Sequence, residues 1–420
     1  MLLKDMKDKD IILFALTVLL TTFFISPFLH SGLRTALEGL WHIQTHPARL
    51  INDYVAIAGV GGAMLNAALV GLVGLTLIKL AGIQHSGPTY AAIFTMVGFG
   101  LFGKTPLNIL PIVLGVFIAA KVAGKTFKDY LIIALFGTAL GPLVSTIAWE
   151  VAINPAAAIA LGIAGGVGIG FLLPSAAISM LHLHQGYNLY NMGLTCGFLG
   201  LFAAALIKGL GHEFATAYEW YTGSSLLLTL LIPCLSLFLI VVGIAKGKKE
   251  CWPDFKELLT LPGRLPSDFT DYPSLPAALI NSGLLGLLGS AYVYFVGAPF
   301  NGPVIGGIMT VMGFGAFGTH IKNAWPILAG VVAATLLTGN SLSAAGPILA
   351  FFFSTTLAPL AGEFGIPVGI TAGAVHLLMV MQTGAWFGGM NLYNNGFAGG
   401  LTAALLISVI QWHKTNKEEF

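Results

Sequence analysis

Residues Gly87 to Gly115 occur a second time, 215 positions further on, without a gap. Gly87-Pro88 returns as Gly302-Pro303, Gly98-Phe99-Gly100 as Gly313-Phe314-Gly315, and Phe102-Gly103 as Phe317-Gly318. Ile93, Thr95, Asn108, Pro111 and Gly115 return as Ile308, Thr310, Asn323, Pro326 and Gly330. A fixed-period match of this length in Gly, Pro and Asn marks an internal duplication. It extends outward. Asn66, Gly71 and Gly74 match Asn281, Gly286 and Gly289, and Gly141-Pro142 matches Ala358-Pro359. Asn188-Leu189-Tyr190-Asn191 matches Asn391-Leu392-Tyr393-Asn394. The chain divides into a first membrane repeat over 1–210 and a second over 211–420.

The environment of both copies follows from charge. Only 9% of residues are charged and 56% are hydrophobic, with a mean hydropathy of +0.87. A soluble domain carries roughly 25% charged residues. The surface must therefore face lipid, where long apolar runs satisfy their backbone only as helices. The expected fold is an all-α polytopic membrane protein. The net charge of +2 gives no reason to expect nucleic acid. Cys196, Cys234 and Cys251 show no pairing pattern and are expected to be free thiols.

The run 11–29 follows Lys4, Lys7 and Lys9 and could pass for a signal peptide. No small-residue cleavage pattern follows it, and 224–245 is its counterpart, so it is expected to be retained. Next comes a polar linker: Pro47-Ala48-Arg49-Leu50 up to Asp53-Tyr54 in one copy, Pro262-Gly263-Arg264-Leu265 up to Asp271-Tyr272 in the other. Each half holds about seven apolar segments, so the fold expected is two inverted repeats with up to 14 spans, some short or re-entrant. The third and fourth segments of each half are the shortest, and lie on either side of the Gly-Phe-Gly motifs. A bilayer core of about 30 Å needs about 20 helical residues. If all segments span, all but four of the 19 Lys and Arg residues lie on the side of the N-terminus; the exceptions are Arg34, Arg49, Lys104 and Lys208. By the positive-inside rule that side is cytoplasmic and holds both termini, the expected location being a bacterial inner (plasma) membrane. A re-entrant hairpin in place of segments three and four gives the same parity.

Inverted repeats with glycine-broken helices are the pattern of transporters and channels, whose site lies near the midplane between the repeats. The pathway is expected at Gly98, Phe99, Gly100 and Gly313, Phe314, Gly315, with the two breaks near each other on the pseudo-twofold axis. Gly87-Pro88 and Gly302-Pro303 are good helix starts whose amide ends would attract negative charge. The competing reading is that the glycines let helices pack closely. Asn188 and Asn191, and Asn391 and Asn394, are three apart and read as one helical face carrying carboxamides. Such groups suit neutral polar solutes, but interhelical hydrogen bonding explains them equally. Asn66 and Asn281, inside apolar segments, join either group, whereas Asn108 and Asn323 read as caps.

No Asp occurs inside any segment, and Glu150 and Glu363 lie at segment ends. Ion-coupled carriers usually keep an intramembrane carboxylate. Lys104 follows the first Gly-Phe-Gly-x-Phe-Gly; in a hairpin it would draw anions at mid-depth, but the expectation is that it snorkels to the surface. Thr319 replaces it in the second copy. His182 and His184 are a poor metal pair, and no metal or cofactor is expected. Common hydrolase motifs are absent from the sequence, so an enzyme is not expected.

The duplicated Gly-Phe-Gly-x-Phe-Gly and Asn-Leu-Tyr-Asn blocks resemble a bacterial membrane family known by a repeated domain of unknown function. The resemblance covers nearly the whole chain and implies no activity. Locally, Asn66 to Leu72 followed by Gly87-Pro88-Thr89 resembles urea transporters, and Asn281 to Leu287 repeats the first part; this implies a urea- or amide-like solute. The count of seven plus seven inverted segments is similar to nucleobase and anion carriers. The expected function is a transporter or channel for a small polar, neutral solute, with lipid and that solute as partners and a homo-oligomer compatible with the chain. An ion-coupled or anion carrier, and a membrane scaffold subunit without a pathway, are the alternatives.

Overall fold

The computed structural model describes residues 5–214 and 218–418. Lys4 lies outside the described residues, as does the side chain of Lys417. The first half runs through α1 (Asp8–Ser31), α2 (Leu33–Gln44), α3 (Tyr54–Ala81), α4 (Gly87–Phe99) and α5 (Pro106–Val122). Then α6 (Phe127–Gly137) passes through a tight turn into α7 (Gly141–Glu150), followed by α8 (Pro155–His184) and α9 (Asn191–Gly209). The second half repeats the order: α10 (Leu226–Gly247), α11 (Cys251–Leu258), α12 (Leu275–Val296), α13 (Gly302–Phe314) and α14 (Ile321–Leu337). It ends with α15 (Ala345–Phe353) continuing into α16 (Ala358–Phe364), then α17 (Ile366–Thr383) and α18 (Asn394–Glu418).

Ten of the described helical stretches are long and apolar enough to cross a bilayer, five in each half. The protein is a multi-pass membrane protein. The remaining apolar pair in each half, α4–α5 and α13–α14, supplies the two short segments expected there. At 13 residues α4 is about 20 Å long, less than a bilayer core of about 30 Å. The chain's own contacts fix their course. Glu150, at the end of α7, pairs with Arg49 beside the start of α3. The α6–α7 span therefore finishes where α3 begins, and α5 must finish where α3 ends. Since α4 sets out from that same end, α4 and α5 leave from and return to one end. By the same reasoning α13 and α14 leave from and return to the opposite end. The inverted symmetry holds, with ten long spans and two pairs of shorter helices.

The breaks are built identically. Pro88 and Pro303 stand in the first turn of the short helices, where a missing N–H costs nothing. Fifteen residues later the chain turns through Gly103 (φ +108°) and Gly318 (φ +137°), backbone that a side chain would strain. Carbonyls freed there need donors, because lipid offers none. Asn66 Nδ2 donates to the oxygens of Gly100 and Lys104 at 2.7 and 2.8 Å, and Asn281 Nδ2 to those of Gly315 and Thr319 at the same distances. Asn108 and Asn323 cap the helices that follow, as expected, and also donate to Gly103 and Gly318.

The two halves meet in two crossings. α4 and α13 run antiparallel so closely that a Cβ on Gly98 would lie 2.9 Å from the carbonyl oxygen of Gly306. α9 and α18 cross where a Cβ on Gly193 would lie 2.6 Å from the Cα of Gly396. Gly193 and Gly396 are equivalent residues, so the pseudo-twofold axis passes between them. Small residues set such crossings because lipid supplies no hydrophobic drive between helices. Phe171, Leu172 and Leu378 on α8 and α17 are exposed and belong to the lipid-facing wall.

Candidate functional site

Between the crossings lies a cavity of about 1100 Å³ whose wall comes from both halves in equivalent pairs. On one side Phe99 packs against Tyr393 (4.7 Å between centroids) and Phe353 (5.5 Å). On the other, Phe314 packs against Tyr190 (4.4 Å) and Phe136 (5.8 Å). Each cluster joins a residue from the end of one half's short helix to two from the other half. Polar groups are few. Thr310 donates to Gly306 O at 2.8 Å, whereas the buried hydroxyl of its equivalent, Thr95, has no partner. Asn191 and Asn395 also reach the wall.

Among the described residues, the cavity opens at one end. At its mouth stand Gln185, Arg264, Ser267, Asp268 and Asp271. The opposite end carries the equivalent linker, and there it is sealed. Residues 218–221 lie across it: Glu219 N donates to Ile51 O, Asp53 N to Glu219 O, and Tyr221 N to Asp53 Oδ2, all within 3.1 Å. The ion pairs report the same asymmetry. Arg49–Glu150 is 2.8 Å long with the arginine side chain 5% exposed; the equivalent Arg264–Glu363 is 3.7 Å long with the arginine 39% exposed.

The helix starts expected to attract a substrate's negative charge are filled by the chain's own carboxylates. Asp268 accepts from Gly87 N at 3.0 Å, and Asp53 from Gly302 N at 3.2 Å. Each aspartate thus caps the other half's short helix. Burial pushes the Asp53 carboxyl up to about 6, against the downward pull of the Tyr221, Val55 and Gly302 amides. Asp268, half-buried, is also raised by burial, with Thr270 opposing. The structural counterpart of Asp53 is Asp268, at the uninterrupted offset of 215, and not Asp271 as the Asp-Tyr dipeptide suggests; Tyr54 N and Phe269 N correspondingly donate to Leu101 O and Ala316 O.

A family model described as a protein of unknown function, DUF1576, matches residues 33–209 and again 247–412. The chain belongs to the DUF1576 family. Both DUF1576 segments thus contain a pair of shorter helices, a capping aspartate and half of the cavity wall. Among curated proteins and among solved structures, none matches the chain. The local likeness to urea transporters finds no support in these comparisons, and its central residue, Asn66, holds the break.

Of the residues singled out in the DUF1576 sequence, Pro88, Phe99, Asn191 and Phe314 line the cavity. Gly98 and Gly313 serve the α4–α13 crossing, and Gly100 and Gly315 take the amide bonds of Asn66 and Asn281. Gly87, Gly302 and Pro303 belong to the capped helix starts. The two breaks do not approach each other: α4 and α13 are antiparallel, so each break lies beside the start of the other short helix. Nor do the paired asparagines share a helical face. Asn188 and Asn391 stand in the turns before α9 and α18, where their side-chain oxygens accept from the amides of Tyr190 and Tyr393. Asn191 ties α9 to α8 through Ala177 O, and Asn394 ties α18 to α17 through Val380 O, both at 3.2 Å. Lys104 does not snorkel. It is 0% exposed, because the turn after α4 holds it inside the bundle against Thr138 and Tyr393. The tyrosines and capping aspartates escaped the sequence reading, although Asn-Leu-Tyr-Asn contains the former and the 215 offset pairs the latter.

Proposed function

We propose that this DUF1576 protein is a carrier of a small organic solute with an apolar body and a polar head, working by alternating access. The observation that carries this reading is a cavity walled by equivalent residues of two inverted repeats, open at the Asp268 end and closed at the Asp53 end. A channel would need both ends open together. A carrier built from inverted repeats exchanges the two ends' conformations, and Arg49–Glu150 and Arg264–Glu363 are equivalent parts in tight and loose arrangements. A scaffold subunit has no use for an aromatic-walled chamber of this size. The volume slightly exceeds the ~300–1,000 Å³ of ordinary small-molecule sites, and urea would leave most of it empty. Six aromatic rings favour an apolar body, while Thr95 and Asn191 offer a polar head its hydrogen bonds. In this reading the open end and both termini face the cytoplasm of a bacterial cell, as the lysine bias favours.

Counterflow in proteoliposomes tests the reading, since only a carrier drives uphill exchange of labelled solute. At least one aryl or branched-chain solute should show counterflow. Thr95→Trp, filling the cavity, should abolish it, and Leu172→Trp on the lipid face should not. Absence of counterflow across the panel with a folded protein, or full activity of Thr95→Trp, would overturn the proposal.

A further inference from the structure

We propose that the solute's head is an anion, a carboxylate in the first instance, and that Lys104 selects it from just beneath the cavity wall. This names the substrate class for the carrier reading above and rests on the same cavity.

The lysine is buried, and it has no ion pair among the described residues. Its Nζ lies 2.7 Å from Thr138 Oγ1 and 2.7 Å from the Tyr393 hydroxyl. Thr138 already donates to Leu135 O, so it must accept from Nζ. Nζ also stands 4.7 Å from the Tyr393 ring centroid and 5.6 Å from that of Phe99, an arrangement that favours the charged ammonium. An ammonium has three donors; two meet hydroxyls, and the charge meets no carboxylate. An unanswered charge in a membrane interior is costly and marks function.

The other half supplies an internal control. There Thr319 stands in place of Lys104, and Tyr190 meets Thr355 directly at 3.2 Å. The tyrosine–threonine pair therefore closes without a lysine, and Lys104 is not needed to satisfy the fold. What it adds is one positive charge a single side-chain layer from the cavity, since Phe99 and Tyr393 both line the wall. The acidic groups on the wall, Asp268 and Asp271, stand at the mouth beside Arg264. Thr95, on the same short helix as Phe99, offers the head an unpartnered, buried hydroxyl. At this separation and an interior effective dielectric, one charge favours an anion over its neutral isostere by roughly tenfold or more.

Equilibrium binding to the purified full-length protein tests this with a near-isosteric series: phenylacetate, phenylacetamide and phenethylamine. Phenylacetate should bind at least about tenfold tighter than the amide, and the amine weakest. Lys104→Met and Lys104→Thr, the latter copying the other half, should bring acetate and amide to equal affinity, while Lys104→Arg keeps the preference. Tyr393→Phe, which leaves the lysine in place, should also retain it, and gives a reading should the lysine variants fail to fold. Equal binding of acid and amide by the wild type, an unchanged ratio in a folded Lys104→Met, or no binding of phenylacetate would overturn the inference. Selective anion binding without counterflow would sink the carrier reading alone; counterflow that prefers the amide would sink this inference alone.

Discussion

Asp53, in the first repeat, accepts a hydrogen bond at 3.2 Å from the amide of Gly302, the first residue of the second repeat's short helix. The same carboxylate takes the amides of Val55 and Tyr221 at 2.9 and 3.0 Å. One buried side chain thus joins the start of a span, the start of a short helix and the segment that seals the cavity. Asp53→Ala leaves these amides without their acceptor, and each buried unsatisfied donor costs about 1–3 kcal/mol. The expected outcome is a marked fall in melting temperature, larger than for Asp268→Ala at the more open end. Equal melting of Asp53→Ala and wild type would remove the cap from the stability argument.

The same carboxyl makes stability depend on pH. Its folded value is about 6 against an ordinary 3.8, so the folded protein binds this proton more tightly than the unfolded chain. The contribution is fully present below 3.8 and is lost as pH rises through 6, in total on the order of 3 kcal/mol. Melting measured against pH for wild type minus Asp53→Asn should fall across that window. A difference that is flat, or that rises with pH, contradicts the assignment.

Asn66→Ala and Asn281→Ala each strip two buried carbonyls of their donor. Both should lower melting by about 1–3 kcal/mol of stability, with solute flux per folded molecule unchanged. Asn394→Ala, which unties α18 from α17, should behave the same way. Asn191 lines the cavity as well as tying α9 to α8, so Asn191→Ala should lower both melting and flux. Flux and melting measured on the same preparations separate the two roles.

Glu150→Gln weakens the ion pair that helps hold the closed end. A cysteine in place of the buried Asn52 should then react faster with a membrane-impermeant thiol reagent than it does beside Glu150. Glu363→Gln, at the end already open, should leave that rate unchanged or lower. Identical rates in all three backgrounds would detach these pairs from gating.

Cysteines replacing Lys248 and Lys414 should react from one side of the membrane, and one replacing Arg34 from the other. Labelling of all three from the same side would break the inverted arrangement.

The duplication, the helix breaks and the apolar class were legible because they rest on period, Gly and Pro, and hydropathy. What the linear pattern left open was the course of α4–α5 and α13–α14. A spanning pair and a re-entrant pair have the same charge parity; the contact of Glu150 with Arg49 fixes the end to which α5 returns, and the 13 residues of α4 make it shorter than the spans around it. The candidate site was read less well. Asparagines suggested a neutral solute, yet most of them bind backbone at turns and breaks, a role their spacing does not distinguish from solvating a pathway. Phe99 and Phe314 were found because they sit in the repeated motif. Tyr190 and Tyr393 sit in one too, but their rings come to Phe314 and Phe99 only through folding, across the two halves.

Lys104 and Thr319 occupy equivalent places, and this bears on how such a chamber can be assembled. Two identical copies of one half, paired in inverted orientation about a twofold axis, would carry two lysines at these places or none. Two ammonium groups would repel and none would leave the chamber uncharged. A single charge off the axis needs two halves that differ, and on one chain they can diverge position by position. Linking the halves therefore does more than hold them together: it allows one position of a symmetric pair to carry a charge while its equivalent carries none.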